Sequence, residues 1–477
     1  MEKALKTKLL CYLLISAVGF SYLVLPQYAG ISVPVFVAIQ FICLYFIAPQ
    51  KKPLLLFIPI FIMALNSFIS ANDIWHVPNF FVTIALYSIM ALWMTNDFPI
   101  KEISLRFIAK TVENIFRPLR YLNLPIKWCA EAHEEHTKTA KRILIGVAIS
   151  IPCLFVLLVL LSSADQIFRS SLAACLSDIS RVINFNLLFK IACGFVVGFY
   201  LFGLLYSVYQ PKAEKVYAAK TKDGDLIVLN ILLASILAVY TLFVIIQFKY
   251  LFAAGYNLPY GLNYIEYARR GFFELLFLSG LNILLILVTT WLTKSKVGIW
   301  AKITKALCCY LCAITIILLI SSFYRMWLYN YFDGLTRLRF LVFGFIIFEA
   351  IGLVITFFYI IKPKFNIAAV YLVIGLTYYL ILNIAPMDAI IAKSQIDRYF
   401  ATGKAGIEYT LTLSADAAPQ IARLLESNYY DSYNAASGAK NNYFFGNHYK
   451  YYREVEPRWQ RWNLSVSRLE KLWQQIE

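Results

Sequence analysis

Eleven runs of apolar residues, each about as long as a lipid bilayer is thick when wound into a helix, constrain this chain more than any other feature. A transmembrane helix needs about 20 predominantly apolar residues, with a usual range of roughly 17–25, because each residue advances it by only about 1.5 Å. The runs lie at approximately 9–25, 31–48, 54–71, 79–94, 143–162, 184–208, 226–248, 272–292, 306–323, 340–361 and 366–386, the fourth being the shortest. Of all residues, 60% are hydrophobic and only 15% charged. Soluble domains hold roughly 45–50% apolar residues and about a quarter charged, so one aqueous core does not account for this surplus. Inside lipid every backbone N–H and C=O must bond internally, and helices achieve this within one segment. The expected fold is therefore all-α: a polytopic bundle of about 11 spans.

The first run follows Lys3, Lys6 and Lys8 and has the outline of a signal peptide. Its apolar stretch is too long for a usual h-region. Cleavage after Ala29 would put Gln27 where a small residue is wanted, so the run reads as a retained anchor.

Charge orients the bundle. With the N-terminus in the cytoplasm, the cytoplasmic segments are 1–8, 49–53, 95–142, 209–225, 293–305 and 362–365, and together they hold 24 lysines and arginines. The opposite loops hold 8. The bias alternates at every crossing, which is the positive-inside pattern. Ten carboxylates share the cytoplasmic segments, so these carry +14 of the formal net charge of +17. The organisation that follows is a four-span segment (1–94), a basic cytoplasmic loop (95–142), a seven-span core (143–386) and a tail (387–477). An odd number of crossings puts the tail outside the cytoplasm. The location read from this pattern is a membrane crossed many times, with the N-terminus cytoplasmic.

The tail is long enough for a small, mostly helical domain. "LSADAAPQIARLLES" reads as a helix capped by Ser414, with Asp416 in its first turn. "RWNLSVSRLEKLWQQIE" reads as an amphipathic helix with Leu469, Leu472, Trp473 and Ile476 on one stripe. Tyrosines crowd the stretch between them, which suits either a rest on lipid headgroups or a ligand-binding face.

"YIEYARRGFFELLFLSGLNILLILVTTWL" begins at Tyr264 and carries charge into hydrocarbon. Glu266, Arg270 and Glu274 are spaced i,i+4 and form an acid–base–acid ladder on one helix face; Arg269 lies off that face and can snorkel outward. An unpaired charge at depth costs about 2.5–3.5 kcal/mol, so the pairing explains how the segment inserts. It reads either as an interfacial ladder or as one wall of an outward-opening polar cavity. The stretch "YIEYARRGFFELL", with "SSADQIF" from Ser162, "YFDGLTRLRF" from Tyr331 and "NIAPMDAIIAKSQIDRYF" from Asn383, resembles a family of bacterial polytopic membrane proteins. That family is numbered 4173 among domains of unknown function and has a sister family numbered 4153. The likeness runs from about Ser162 to "RWNLSVSRL". It implies an integral membrane protein and supplies no catalytic residues. Asp333 stands where the resemblance leads one to expect tyrosine.

Glu349 lies in the middle of its span with no basic residue at i±4. An intramembrane carboxyl is a functional candidate by default: it serves a proton, ion or substrate, or it is a neutral acid bonded to another helix. Lys190, near the start of its span, either snorkels outward or reaches Glu274 or Glu349. Arg337 and Arg339 join Arg269, Arg270 and Arg325 on the outer side, where guanidiniums anchor headgroups or frame an anionic ligand. Asp165, Asp388 and Asp397 are outer carboxylates in the family-like stretches; Asp397 and Arg398 are placed to tie the tail down.

His133 and His136 in "AEAHEEHTKTAKR" have i,i+3 spacing but lack a third ligand and read as a solvated helix face. Cys309 and Cys312 are spaced like a redox or zinc pair, yet they sit in "LCCYLCAITIILLI", where thiols pack as small hydrophobes. Phosphate-binding glycine loops, nucleophile elbows and kinase signatures do not occur, and no cofactor is expected. Expected partners are membrane lipids and either a small anionic solute or a partner membrane protein, not nucleic acid. Two function classes remain: transport or lipid and solute handling, and sensing or assembly through the tail. The absence of an internal repeat weighs slightly against the transporter.

Overall fold

A computed structural model of the chain describes residues 3–25, 30–95, 105–131, 185–210, 225–247, 272–293, 296–403, 406–425, 443–444 and 459–476, with scattered positions between 150 and 171. All regular structure among these residues is helical. The long elements are α1 (Lys3–Gly19, continuing through a π-turn to Val24), α2 (Ser32–Ile47), α3 (Phe57–Ile69), α4 (His76–Met94), α5 (Leu105–Phe116), α6 (Leu124–Glu131), α7 (Phe185–Val208), α8 (Leu226–Gln247), α9 (Phe272–Leu292), α10 (Ile299–Asp333), α11 (Arg337–Ile361), α12 (Ile367–Ile384), α13 (Met387–Thr402) and α14 (Leu464–Ile476).

Among the described residues nine helices are long and apolar enough to cross a membrane. They answer nine of the eleven runs. The second run forms α2, whose 16 residues are short for a crossing. The fifth run lies outside the described residues except for scattered positions. The fourth, expected to be the shortest, belongs to a helical stretch of 22 residues, Asp73–Met94. Asn72 accepts a bond from Ile74 N–H and starts the coil there, so Asp73 and His76 join a helix whose apolar run begins only at Asn79. The ninth run is the middle of α10, which is 35 residues long.

The spans gather in two groups. In the first, α1 runs antiparallel to α7, with Gly198 against Leu13 and Ala17 and Gly194 against Ala17 and Ser21. Glycines four apart let two backbones approach without an intervening side chain, and Ser21 Oγ fills the gap by donating to the Lys190 carbonyl at 2.9 Å. Leu9, Tyr12, Ile60, Met63, Met90 and Phe202 fill the core of this group with α2, α3 and α4. The second group is α8 to α11, around Leu233, Ile286, Leu311, Leu318 and Leu353. Helix α12 touches both, through Tyr379 on one side and Tyr371 on the other. Large apolar side chains such as Phe46, Val196, Val239 and Phe277 point away from the protein, as lipid-facing residues do.

The tail closes over one end of the bundle. Met387, Ile391, Leu413, Ile421, Phe444 and Leu469 share a core that also takes in Ala71, Leu335, Phe340 and Leu341 from the spans and their connections. Gly30 and Ile31 N–H bond to the carbonyls of Gln460 and Trp462 at 2.8 and 2.9 Å. Asn463 Nδ2 donates to Ser67 and Ser70 carbonyls at 2.9 and 2.8 Å. The same end therefore holds the finish of α1, α3, α10 and α12 and the start of α2 and α11. The helix expected after Ser414 is short and broken. Ala415–Ala417 is a 3-10 turn and Ala418–Ala422 a single turn, without a side-chain cap from Ser414. Asp416 turns away instead, accepting from Ser70 Oγ at 2.5 Å and Ala71 N–H at 2.9 Å. The cap of α14 is Asn463, which accepts from the Ser465 and Val466 N–H groups.

Candidate functional site

Glu349 sits halfway along α11, about 18 Å from either end of the helix. It is 5% exposed and faces α9. Ser279 Oγ donates to Glu349 Oε2 at 2.5 Å and also to the Leu276 carbonyl at 2.7 Å. Gly280 makes room for the carboxyl: a methyl there would meet Glu349 Oε1 at 3.2 Å. One turn further along α9, Asn282 donates to Thr315 of α10 at 3.1 Å and accepts from Tyr240 of α8 at 2.9 Å. Thr304 of α10 donates to Asn230 of α8 at 2.7 Å, and Ser321 of α10 donates to Gln247 of α8 at 2.7 Å. On α11, Tyr371 of α12 donates to the Gly352 carbonyl at 2.8 Å and meets Thr356 Oγ1 at 2.7 Å. Polar side chains thus run along the interior of this group at several depths, with one carboxyl at the centre. Chemically the arrangement can hold or release a proton at Glu349 and solvate it by hydroxyls and amides.

The second polar cluster sits where the tail meets the bundle. Arg337 donates to Asp388 through Nε at 2.8 Å and Nη2 at 2.5 Å, a two-pronged pair. Asp388 is fully buried and takes a further bond from Ser414 N–H at 3.0 Å. Burial pushes the Asp388 carboxyl up, but the bonds from Arg337 and Ser414 outweigh it and hold the group below the usual carboxylate range. Arg339 donates to Asp333 and to the Gly334 carbonyl, and its guanidinium lies 3.7 Å from the Tyr329 ring centre. Gln395 donates to the Leu335 carbonyl at 2.8 Å, and Arg398 donates to the Phe332 carbonyl. Asp397 pairs with Arg423 at 2.8 Å. The stretches "YFDGLTRLRF" and "NIAPMDAIIAKSQIDRYF" are thus the two halves of one joint. Asp333, the departure from the expected tyrosine, supplies the partner of Arg339.

A third node ties α12 to the first group. Asn79 donates to Asn383 Oδ1 at 2.8 Å, Tyr379 donates to Asn79 at 2.5 Å, and Asn66 donates to the Asn383 carbonyl at 2.6 Å.

The sequence-derived candidates separate accordingly. Glu349 is the intramembrane centre. Arg337, Arg339 and Asp388 meet in the joint, where both guanidiniums are engaged by carboxylates. Glu274 is exposed on the first turn of α9. Its ladder partners Glu266 and Arg270, with Arg269, lie outside the described residues, as do His133 and His136. Lys190 is half-buried on α7, which packs on α1, and no ion pair among the described residues joins it to Glu274 or Glu349. Asp165 is exposed, with its N–H on the Leu161 carbonyl. Cys308 and Cys312 lie in the apolar core, and Cys312 Sγ is 3.7 Å from the Leu353 carbonyl. Sequence reasoning missed Ser279, Asn282, Thr315 and Tyr240. Their signal was polarity at i and i+3 within α9, weak because a serine or asparagine is common in a span.

These features define a multi-pass α-helical membrane protein with a polar seam inside one half of its bundle. The chain belongs to the family described as Domain of unknown function (DUF4153), which matches residues 57–424. The resemblance read from the motifs points to the family numbered 4173, whereas the model that matches is the one numbered 4153. The match begins after α2 and ends before α14, so it covers both halves of the joint, Glu349 and its surroundings. No curated protein and no solved structure matches the chain.

Proposed function

We propose that the protein moves protons or a small solute across the bacterial cytoplasmic membrane, with Glu349 as the group that binds and releases. The single observation behind this reading is Glu349 itself, a carboxyl buried at mid-span whose partner is a serine hydroxyl. Lipid makes such a group costly. Ser279 does not depend on its bond to Glu349 for an acceptor, because it also has the Leu276 carbonyl. The candidates Glu274, Arg270, Glu266 and Arg269 line the approach from the outer side in this reading, and the chain crosses eleven times with the tail outside. What supports that topology is the alternating charge of the loops and the run of the helices. Helices α4 and α7 both head away from the tail-covered end, as that topology requires. The test is proteoliposomes with a trapped pH-sensitive dye and a panel of small anions. Wild-type flux that vanishes in Glu349→Gln supports the reading. Flux from neither protein above empty liposomes overturns it.

A second reading, sensing or assembly through the tail, draws on the joint itself, where Asp388, Gln395 and Arg398 of α13 bond to Arg337, Leu335 and Phe332. Deleting residues 400–477 would then abolish function while the spans still insert.

A further inference from the structure

Helix α5 has three faces. At about 100° per residue, Phe107, Thr111 and Asn114 fall on one arc, Ile108, Val112 and Phe116 on a second, and Lys110 and Glu113 on a third. The first arc is buried against the bundle. Ser88 Oγ of α4 donates to the Thr111 carbonyl at 3.0 Å, Asn114 Nδ2 donates to the Ser88 carbonyl at 3.0 Å, and Tyr200 of α7 donates to the Ile115 carbonyl at 3.1 Å. The second arc is bare: Ile108, Val112 and Phe116 are 56%, 48% and 62% exposed. The turn that follows (Arg117–Tyr121) and α6 repeat the pattern, with Leu119 and Ile126 exposed beside Arg117, Arg120 and Lys127. None of Lys110, Arg117, Arg120 and Lys127 forms an ion pair among the described residues.

Depth decides what covers the bare arc. Ser88 lies six residues before the end of α4 and Tyr200 eight before the end of α7, so the contacts sit about 9 and 12 Å inside those helix ends. That is the level of the boundary between headgroups and acyl chains, where amphipathic helices bury an apolar face by about 5–10 Å. A helix held there, with hydrocarbon on one arc and cations on the next, matches a leaflet of negative surface charge. We propose that α5, with the turn and helix after it, is an interfacial platform that binds anionic phospholipids. Ile108, Val112 and Phe116 enter the acyl region, and Lys110, Arg117, Arg120 and Lys127 hold the headgroups.

A photo-crosslinking amino acid in place of Val112 tests this in vesicles of phosphatidylcholine and phosphatidylglycerol at 7:3. The same probe at Val239, a lipid-facing position on α8, calibrates the chemistry. The expected adduct at 112 is lipid, with phosphatidylglycerol enriched over its bulk share. Each of Lys110→Gln and Arg120→Gln should lower the ratio of phosphatidylglycerol to phosphatidylcholine adducts about fivefold. Adducts to a second copy of the chain overturn the proposal, as does the lack of any adduct where position 239 gives one. Lipid adducts at the bulk ratio refute the anionic preference.

Discussion

Replacing Arg337 by methionine removes the cation that Asp388 was built to meet. Asp388 is 0% exposed and Arg337 33% exposed. The carboxyl would keep only the Ser414 N–H, buried and unpaired. Breaking a buried pair by removing one partner costs about 3–5 kcal/mol. One side of this pair touches solvent and is screened, so the lower end, about 3 kcal/mol, applies. That is about a 150-fold rise in the opening constant of the joint. Hydrogen exchange on peptides covering residues 387–403 and 411–415 in detergent or nanodiscs reads that constant directly. The double variant Arg337→Met/Asp388→Leu should recover much of the loss, because it leaves no stranded charge. The pH dependence has a definite sign. The folded pKa of Asp388 lies below its unfolded value of about 3.9, so its contribution is complete above about pH 4 and is lost as pH falls through the folded value. Protection should therefore be level from pH 5 to 8. A double variant as open as Arg337→Met, or a joint that loosens between pH 5 and 7, would refute the argument.

Gly198→Leu should push α1 and α7 apart, since even a methyl there would lie 2.8 Å from the Leu13 carbonyl; thermal unfolding should fall by an amount equivalent to about 1–3 kcal/mol, while Gly375→Leu, facing open space, should leave it unchanged. Glu349→Leu should leave stability within about 1 kcal/mol of wild type, because Ser279 retains the Leu276 carbonyl; a collapse of the melting curve would make Glu349 structural. Gly334→Ala should destabilise by about 1–3 kcal/mol, as Gly334 has φ +81° and an added methyl would lie 2.5 Å from the Gln395 amide; the loss should appear in exchange at the joint. Asn383→Leu should cost about 1–3 kcal/mol in thermal unfolding by stripping Asn79 Nδ2 of its 2.8 Å acceptor.

The sequence by itself determined the all-helical class, the location of nearly every long helix and the singular position of Glu349. Lipid imposes these on a chain locally: a run of apolar residues must bond its own backbone wherever its neighbours lie, and a lone carboxyl in such a run stands out without any partner being known. Charge in the connecting loops is equally local. Partnership was not legible. Arg337 and Arg339 looked like cations waiting for an anion, and only the folded chain brings Asp388 up from 51 positions away and sets Asp333 beside Arg339. Ser279 is one serine among many until α9 turns it toward Glu349. Asp416 looked like part of a helix start, but its bonds are to Ser70 and Ala71, more than 340 residues distant. The difference is physical: helix formation in a bilayer is driven by each segment's own transfer from water, whereas pairing depends on which faces meet once the segments pack.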